Sequence, residues 1–163
     1  MTSFTRIAKV AVVASLYATL VVVLAPISFA AVQVRVADAL LLLPFLDFFG
    51  FSAVVGLTIG CALANLVSPF GVYDVVFGSL ANFAAGTVAW VIGKVSKSTT
   101  ALVVAAVLQA LVVTFIIGYV LLHLVYGLEL LVSLGGVLLG SIISTCALGI
   151  PIVSFMVKRL KLR

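Results

Sequence analysis

Charge is scarce in this sequence. Only 8% of its 163 residues are charged, against roughly 25% in a soluble globular chain. Acids are scarcer still: Asp38, Asp47, Asp74 and Glu129 are the four in the whole chain. There is one histidine, and no hydrolase triad or metal-ligand spacing can be built from it. The two cysteines are too few for a disulfide framework, and Cys61 and Cys146 lie in apolar helical runs where inert core thiols are expected. A phosphate-binding loop is missing too. The "GTVAWVIGKVS" stretch ends in Gly-Lys, but its glycine spacing is wrong and Val95 stands where Ser or Thr is needed. The chain is therefore not expected to hydrolyse ATP, act as an enzyme, or carry a metal or other cofactor.

What remains is apolar. Hydrophobic residues make up 66% of the chain and the mean hydropathy is +1.50. Such a composition cannot cover a water-facing surface, so an all-α integral membrane protein is expected, one transmembrane domain over 1–163. The first apolar run is too long for a signal h-region and lacks a small-x-small cleavage site. A spanning helix needs about 20 apolar residues, and six segments are expected, at about 7–27, 37–49, 51–67, 74–92, 101–124 and 130–157. The second is short and carries Pro44, so a re-entrant pair made of the second and third is the alternative.

The net charge of +5 is a topology signal and not a nucleic-acid footprint. With six spans and both termini cytoplasmic, Arg6, Lys9, Lys94, Lys97, Lys158, Arg159, Lys161 and Arg163 fall inside, as the positive-inside rule requires. Arg35 alone falls outside. Asp38, Asp74, His123 and Glu129 gather with it, and Asp47 is the acid expected at the inner side.

Within the membrane, polar residues need a reason. In the fourth helix Asp74, Gly78 and Asn82 are spaced four apart and share a face, with Gly86 continuing it. An acid, a gap and an amide could bind a flat polar ligand. Equally, Asp74 could cap the helix and the glycines could serve close packing. Asn65 ends the third helix, as a turn residue or a ligand contact. Gln109, at mid-depth, is expected to face protein or a cavity, as interhelical glue or ligand contact. His123 and Glu129 are outer-end residues with an interfacial or helix-dipole role as the alternative. "QVRVADALLLLPF" sets Arg35 three residues before Asp38, which reads as a lid over a pocket or as a capping acid beside a salt-bridged arginine.

Small residues recur at helix-packing spacing. The third helix has Gly56-x-x-x-Gly60 and the sixth has Gly136-x-x-x-Gly140-x-x-x-Ser144. Ala11, Ala14, Ser15 and Ala18 give the first helix a small-residue surface, for packing inside the chain or for another subunit.

The stretches "VQVRVADALLLLPF" and "GLTIGCALANLVSPFGVYDVVFGSLANFAAG" resemble the QueT family, the queuosine-precursor S-components of energy-coupling-factor transporters. The resemblance covers about residues 5–95. It implies a compact bundle of six transmembrane helices that captures a 7-deazaguanine-type base from outside. It implies docking, through the alanine face of the first helix, on a membrane scaffold subunit with two ATPase subunits, which drive the reorientation that releases the ligand inside. The substrate-binding residues expected are Arg35, Asp38, Asn65, Tyr73, Asp74, Gly78, Asn82, Gln109, His123 and Glu129, with Phe70, Tyr73 or Phe77 to stack on the ring. An S-component for another vitamin or base would share the fold. A stand-alone permease or channel would spread polar residues through the whole depth, and here they gather at the outer side.

Overall fold

The computed structural model describes residues 3–28 and 34–159. Gln33, Lys161 and Arg163 lie outside the described residues. The described chain is all-helical: α1 (Ser3–Val23), α2 (Ala25–Ser28), a 3-10 helix (Val36–Phe45), α3 (Gly50–Asn65), α4 (Gly71–Val95), α5 (Thr99–Val113), α6 (Leu130–Ser141) and α7 (Ile150–Arg159). A π-helical stretch, Thr114–Val125, carries α5 onward, and a second, Ile142–Gly149, joins α6 to α7.

The six expected segments come out unequal in length. Among the described residues, four helices are long and apolar enough to cross a membrane: Ser3–Val23, Gly71–Val95, Thr99–Val125 and Leu130–Arg159. The other two expected segments are shorter apolar helices, Val36–Phe45 and Gly50–Asn65. Ten residues of 3-10 helix rise about 2.0 Å each, roughly 20 Å against a hydrocarbon core of about 30 Å. At 16 residues, α3 is also short.

The 3-10 helix is the axis of the bundle. It packs on α1, α3, α4, α5, α7 and the Ile142–Gly149 stretch, and every residue from Ala37 to Phe45 is buried. Irregular backbone at membrane depth is tolerated only where protein surrounds it, and here side chains reach in to satisfy its carbonyls. Gln109 Nε2 donates to Leu41 O at 2.6 Å and to Ala85 O at 2.9 Å. Lys97 Nζ donates to Phe45 O at 2.5 Å. Two glycines allow the close approach. A Cβ at Gly93 would lie 2.4 Å from Phe45 O, and one at Gly149 would lie 3.0 Å from Ala39 O.

On the opposite flank, α1 packs on α3 through the expected Gly56-x-x-x-Gly60 motif. A Cβ at Gly56 would lie 2.8 Å from Val10 O. The α4 stripe is buried as its spacing predicts, at Asp74, Gly78, Asn82 and Gly86.

Charge separates along the bundle. Arg6, Lys9, Asp47 and Lys94 line one groove, and Lys97 and Lys158 share a neighbouring one. Asp47 receives Lys94 Nζ at 3.1 Å and Lys97 Nζ at 3.2 Å. The hydrogen bond from Lys94 is the main cause holding its carboxyl below the ordinary 3.8. Its stability contribution is therefore complete above that value and lost as the pH falls through the depressed pKa. Asp47 is half exposed, so water and salt screen the effect. Asp47→Asn should leave the melting temperature at pH 7 within a few degrees of the parent while flattening the acid limb below about pH 4. A pH–melting curve in detergent reads both.

Candidate ligand-binding cavity

At the other end of the bundle, charge is buried. Arg35 leaves extended backbone just before the 3-10 helix, and its Nη2 reaches Asp74 in the first turn of α4, at 3.1 Å to Oδ2 and 3.4 Å to Oδ1. Only 7% of the Arg35 side chain and 2% of the Asp74 side chain is exposed. Two ions removed from water lose several kcal/mol of hydration each, which their attraction offsets only in good geometry.

Asp38 does not pair with Arg35 by the short sequence spacing. One turn into the 3-10 helix, its Oδ1 accepts a 2.6 Å hydrogen bond from Tyr17 Oη of α1. It serves no cap either: the 3-10 helix has no side-chain cap. Each member of the sequence pair finds its partner on a different helix.

Between these groups lies a cavity of about 10 Å³, lined by Arg35, Asp38, Gly78, Ala81, Asn82, Val113, Ile117, Val137 and Ser141, room for about one water molecule. Thus four of the ten expected binding residues, Arg35, Asp38, Gly78 and Asn82, line it. Asp74 stands directly behind Arg35. Asn82 Nδ2 donates to Leu57 O at 3.3 Å, tying α4 to α3. The walls contributed by α5 and α6 are apolar apart from the Ser141 hydroxyl.

The other expected residues sit elsewhere. Asn65 Nδ2 donates to Asp74 O at 2.8 Å and lies 3.5 Å from Cys61 Sγ. Gly78 is what admits it, since a Cβ there would stand 2.3 Å from Asn65 Nδ2. Asn65 therefore braces the start of α4 from behind. Gln109 braces the 3-10 helix. Tyr73 is 53% exposed and packs edge-on against Tyr126 at 6.4 Å. Tyr126 in turn donates its hydroxyl to Phe70 O. Phe70 and Phe77 pack against the apolar core, so none of the three expected stacking aromatics lines the cavity. His123 Nδ1 lies 2.8 Å from Leu128 O, closing the turn before α6. Glu129 is exposed at the N-cap of α6, with no side-chain capping bond. Neither is among the residues that line the cavity.

Sequence reading missed Tyr17, Ser141 and the apolar wall. Tyr17 carried a usable signal: a phenol at mid-helix depth needs a partner for its hydroxyl. The apolar wall carried none, because a valine facing a cavity and a valine facing a lipid read alike.

On α1, Ala8, Ala11 and Ser15 are exposed, whereas Ala14 is 6% exposed and turned onto α3. A Cβ at Gly60 would meet Ala14 O at 2.6 Å. Ala18 is half-buried against the core. Of the four expected docking residues, Ala11 and Ser15 face outward and Ala14 does not.

Among known families, the model described as QueT transporter matches residues 7–158. No curated protein and no solved structure matches the chain.

Proposed function

The chain belongs to the QueT transporter family, proteins of transport and not of catalysis, and on that premise we propose that it is the substrate-binding component of an energy-coupling-factor importer. Its cargo is a queuosine precursor, a 7-deazaguanine-type base. One observation carries this reading: a buried arginine, a buried carboxylate and a buried amide line a single small cavity at the end of the bundle away from the lysines, with a second buried carboxylate, Asp74, paired behind the arginine.

A guanine-like edge presents adjacent N–H donors and a carbonyl. A carboxylate accepts from the donors, Arg35 donates to the carbonyl, and Asn82 serves either edge. Each hydrogen bond to a charged group contributes roughly 1.5–3 kcal/mol. The closed cavity is far smaller than the roughly 300 Å³ of a small-molecule pocket. Ligand entry therefore parts Arg35 from Asp74 and moves the Val113, Ile117, Val137 and Ser141 wall outward. The lost ion pair is exchanged for ligand contacts, so an analogue lacking the donors leaves Asp74 buried without compensation and is rejected.

The bundle orients with its lysine-rich end to the cytoplasm, both termini on that side, and its cavity toward the outside. Energy comes from two ATPase subunits through a membrane scaffold subunit, with the exposed strip Ala8, Ala11 and Ser15 of α1 as the docking surface. Ala11→Trp should abolish uptake in cells while the purified protein keeps its ligand affinity. Parallel loss of uptake and binding would contradict that surface. Ala14→Leu should instead lower stability, because the side chain points into α3.

The decisive experiment identifies the ligand. The protein is purified from cells, extracted and examined by mass spectrometry, then titrated with 7-deazaguanines and with unrelated vitamins. A 7-deazapurine should co-purify and compete. Tight binding of a different vitamin with no binding of any 7-deazapurine would overturn the cargo.

A further inference from the structure

At the lysine-rich end, α1, the 47–49 turn, α3 and α4 enclose a groove of about 370 Å³ whose lining includes Arg6, Lys9, Phe48, Phe51, Ser52 and Trp90. From this geometry we propose that the groove is a binding site for the phosphate headgroup of an anionic phospholipid. The proposal rests on the chain crossing a bilayer and not on which ligand the central cavity takes.

Three features make the groove a site for an anion. First, α3 begins here. Its first turn has no acidic residue and no side-chain cap; Gly50 N is taken by Leu46 O at 2.8 Å, and an α-helix leaves its next N–H groups without carbonyl partners of its own. Ser52 adds a hydroxyl beside them. Second, the fixed charge is positive. Arg6 is exposed and forms no ion pair among the described residues. Lys94 and Lys9 stand with it, and Asp47, the one acid of the lining, is already held between Lys94 and Lys97. Third, the floor is built. Lys9 is only 8% exposed, with its Nζ 3.8 Å from the centre of the Phe48 ring and donating to Phe48 O.

The surroundings point to a lipid and not to a soluble phosphate. Phe51 meets Trp90 at 5.2 Å and Phe83 at 6.4 Å, both edge-on, the kind of aromatic group that marks a membrane interface. From Phe51 an apolar stripe continues along α3 through Val55, Ile59 and Leu63 at every fourth residue. Ile59 is 43% and Leu63 53% exposed. A headgroup in the groove leaves an acyl chain lying along that stripe. Basic pockets between transmembrane helices commonly take lipid phosphates.

The test uses the full chain in phosphatidylcholine nanodiscs, with phosphatidylglycerol, glycerol phosphate or inorganic phosphate added, and reads the melting temperature. Phosphatidylglycerol should raise it and the two soluble phosphates should not. Arg6→Gln and Ser52→Asp should each remove at least half of the rise. Ser52→Asp places an acid in the first turn of α3, which favours the helix, so its melting temperature in phosphatidylcholine should hold or increase. A lost lipid response in that variant is then repulsion and not unfolding. Equal melting temperatures in the two lipids, an equal rise with phosphate alone, or a full rise surviving in either variant would overturn the proposal.

Discussion

Asp74→Ala is expected to lower stability by about 3–5 kcal/mol, the usual effect of removing one partner of a buried ion pair. The Arg35 guanidinium stays buried, and the carboxylate 3.1 Å from it is gone. Asp74→Asn should be milder, since its amide oxygen still accepts a hydrogen bond. Its ligand affinity should nonetheless fall tenfold or more, tenfold being about 1.4 kcal/mol. The double variant Arg35→Met/Asp74→Leu separates the two roles. Replacing a buried pair by apolar residues of similar size is often neutral or stabilising, so its melting temperature should recover while ligand binding stays absent. A single Asp74→Ala variant as stable as the parent would show that the pair does not lock the closed bundle. A double variant that still binds would remove both residues from the site.

The second large effect is at the seam between α1 and α3. A Cβ at Gly60 would lie 2.6 Å from Ala14 O and 3.0 Å from both Ala14 Cα and Tyr17 Cβ. Two of these atoms are backbone, so no rotamer change relieves the clash and the helices must part. Overpacking of this kind typically costs about 1–3 kcal/mol. It also displaces Tyr17, whose hydroxyl holds Asp38 at 2.6 Å. Gly60→Ala should therefore lower both the melting temperature and ligand affinity. Gly135→Ala is the control: it also lies inside a helix, but nothing stands within 4 Å of its added Cβ. It should be neutral or slightly stabilising, because glycine is the poorer helix former by roughly 0.5–1 kcal/mol. Equal loss in both variants would mean that flexibility and not the seam is responsible.

Part of the lining of the candidate cavity was legible from spacing alone. Asp74, Gly78 and Asn82 recur every fourth residue, and a helix turns such a period into one face whatever surrounds it. Arg35 stood out because it broke the positive-inside pattern, and it proved to be a buried cation with a partner 39 residues away. The identity of that partner was not legible. Asp38 was nearer in sequence, but proximity along the chain does not set direction, and the tight 3-10 winding turns Asp38 toward α1 instead. Gln109 was expected to face protein or a cavity, and it faces protein, bonded to Leu41 O and Ala85 O. The carbonyl it serves could not be read, because a run of leucines gives no sign of whether it winds as an α-helix, a 3-10 helix or a strand.

Composition and periodicity were enough to determine that this chain is a helical membrane protein, that its described lysines share one end, and which face of α4 turns inward. These are local or one-dimensional properties, set by transfer free energy and helical pitch. The depth to which Val36–Phe45 is buried, the exchange of partners between Arg35 and Asp38, and the inward turn of Ala14 were decided by packing. Each depends on which helix arrives alongside, and the glycines at 56, 60, 93 and 149 set how closely it arrives. The arginine that the sequence left as a stray charge is in the folded bundle one half of a buried lock.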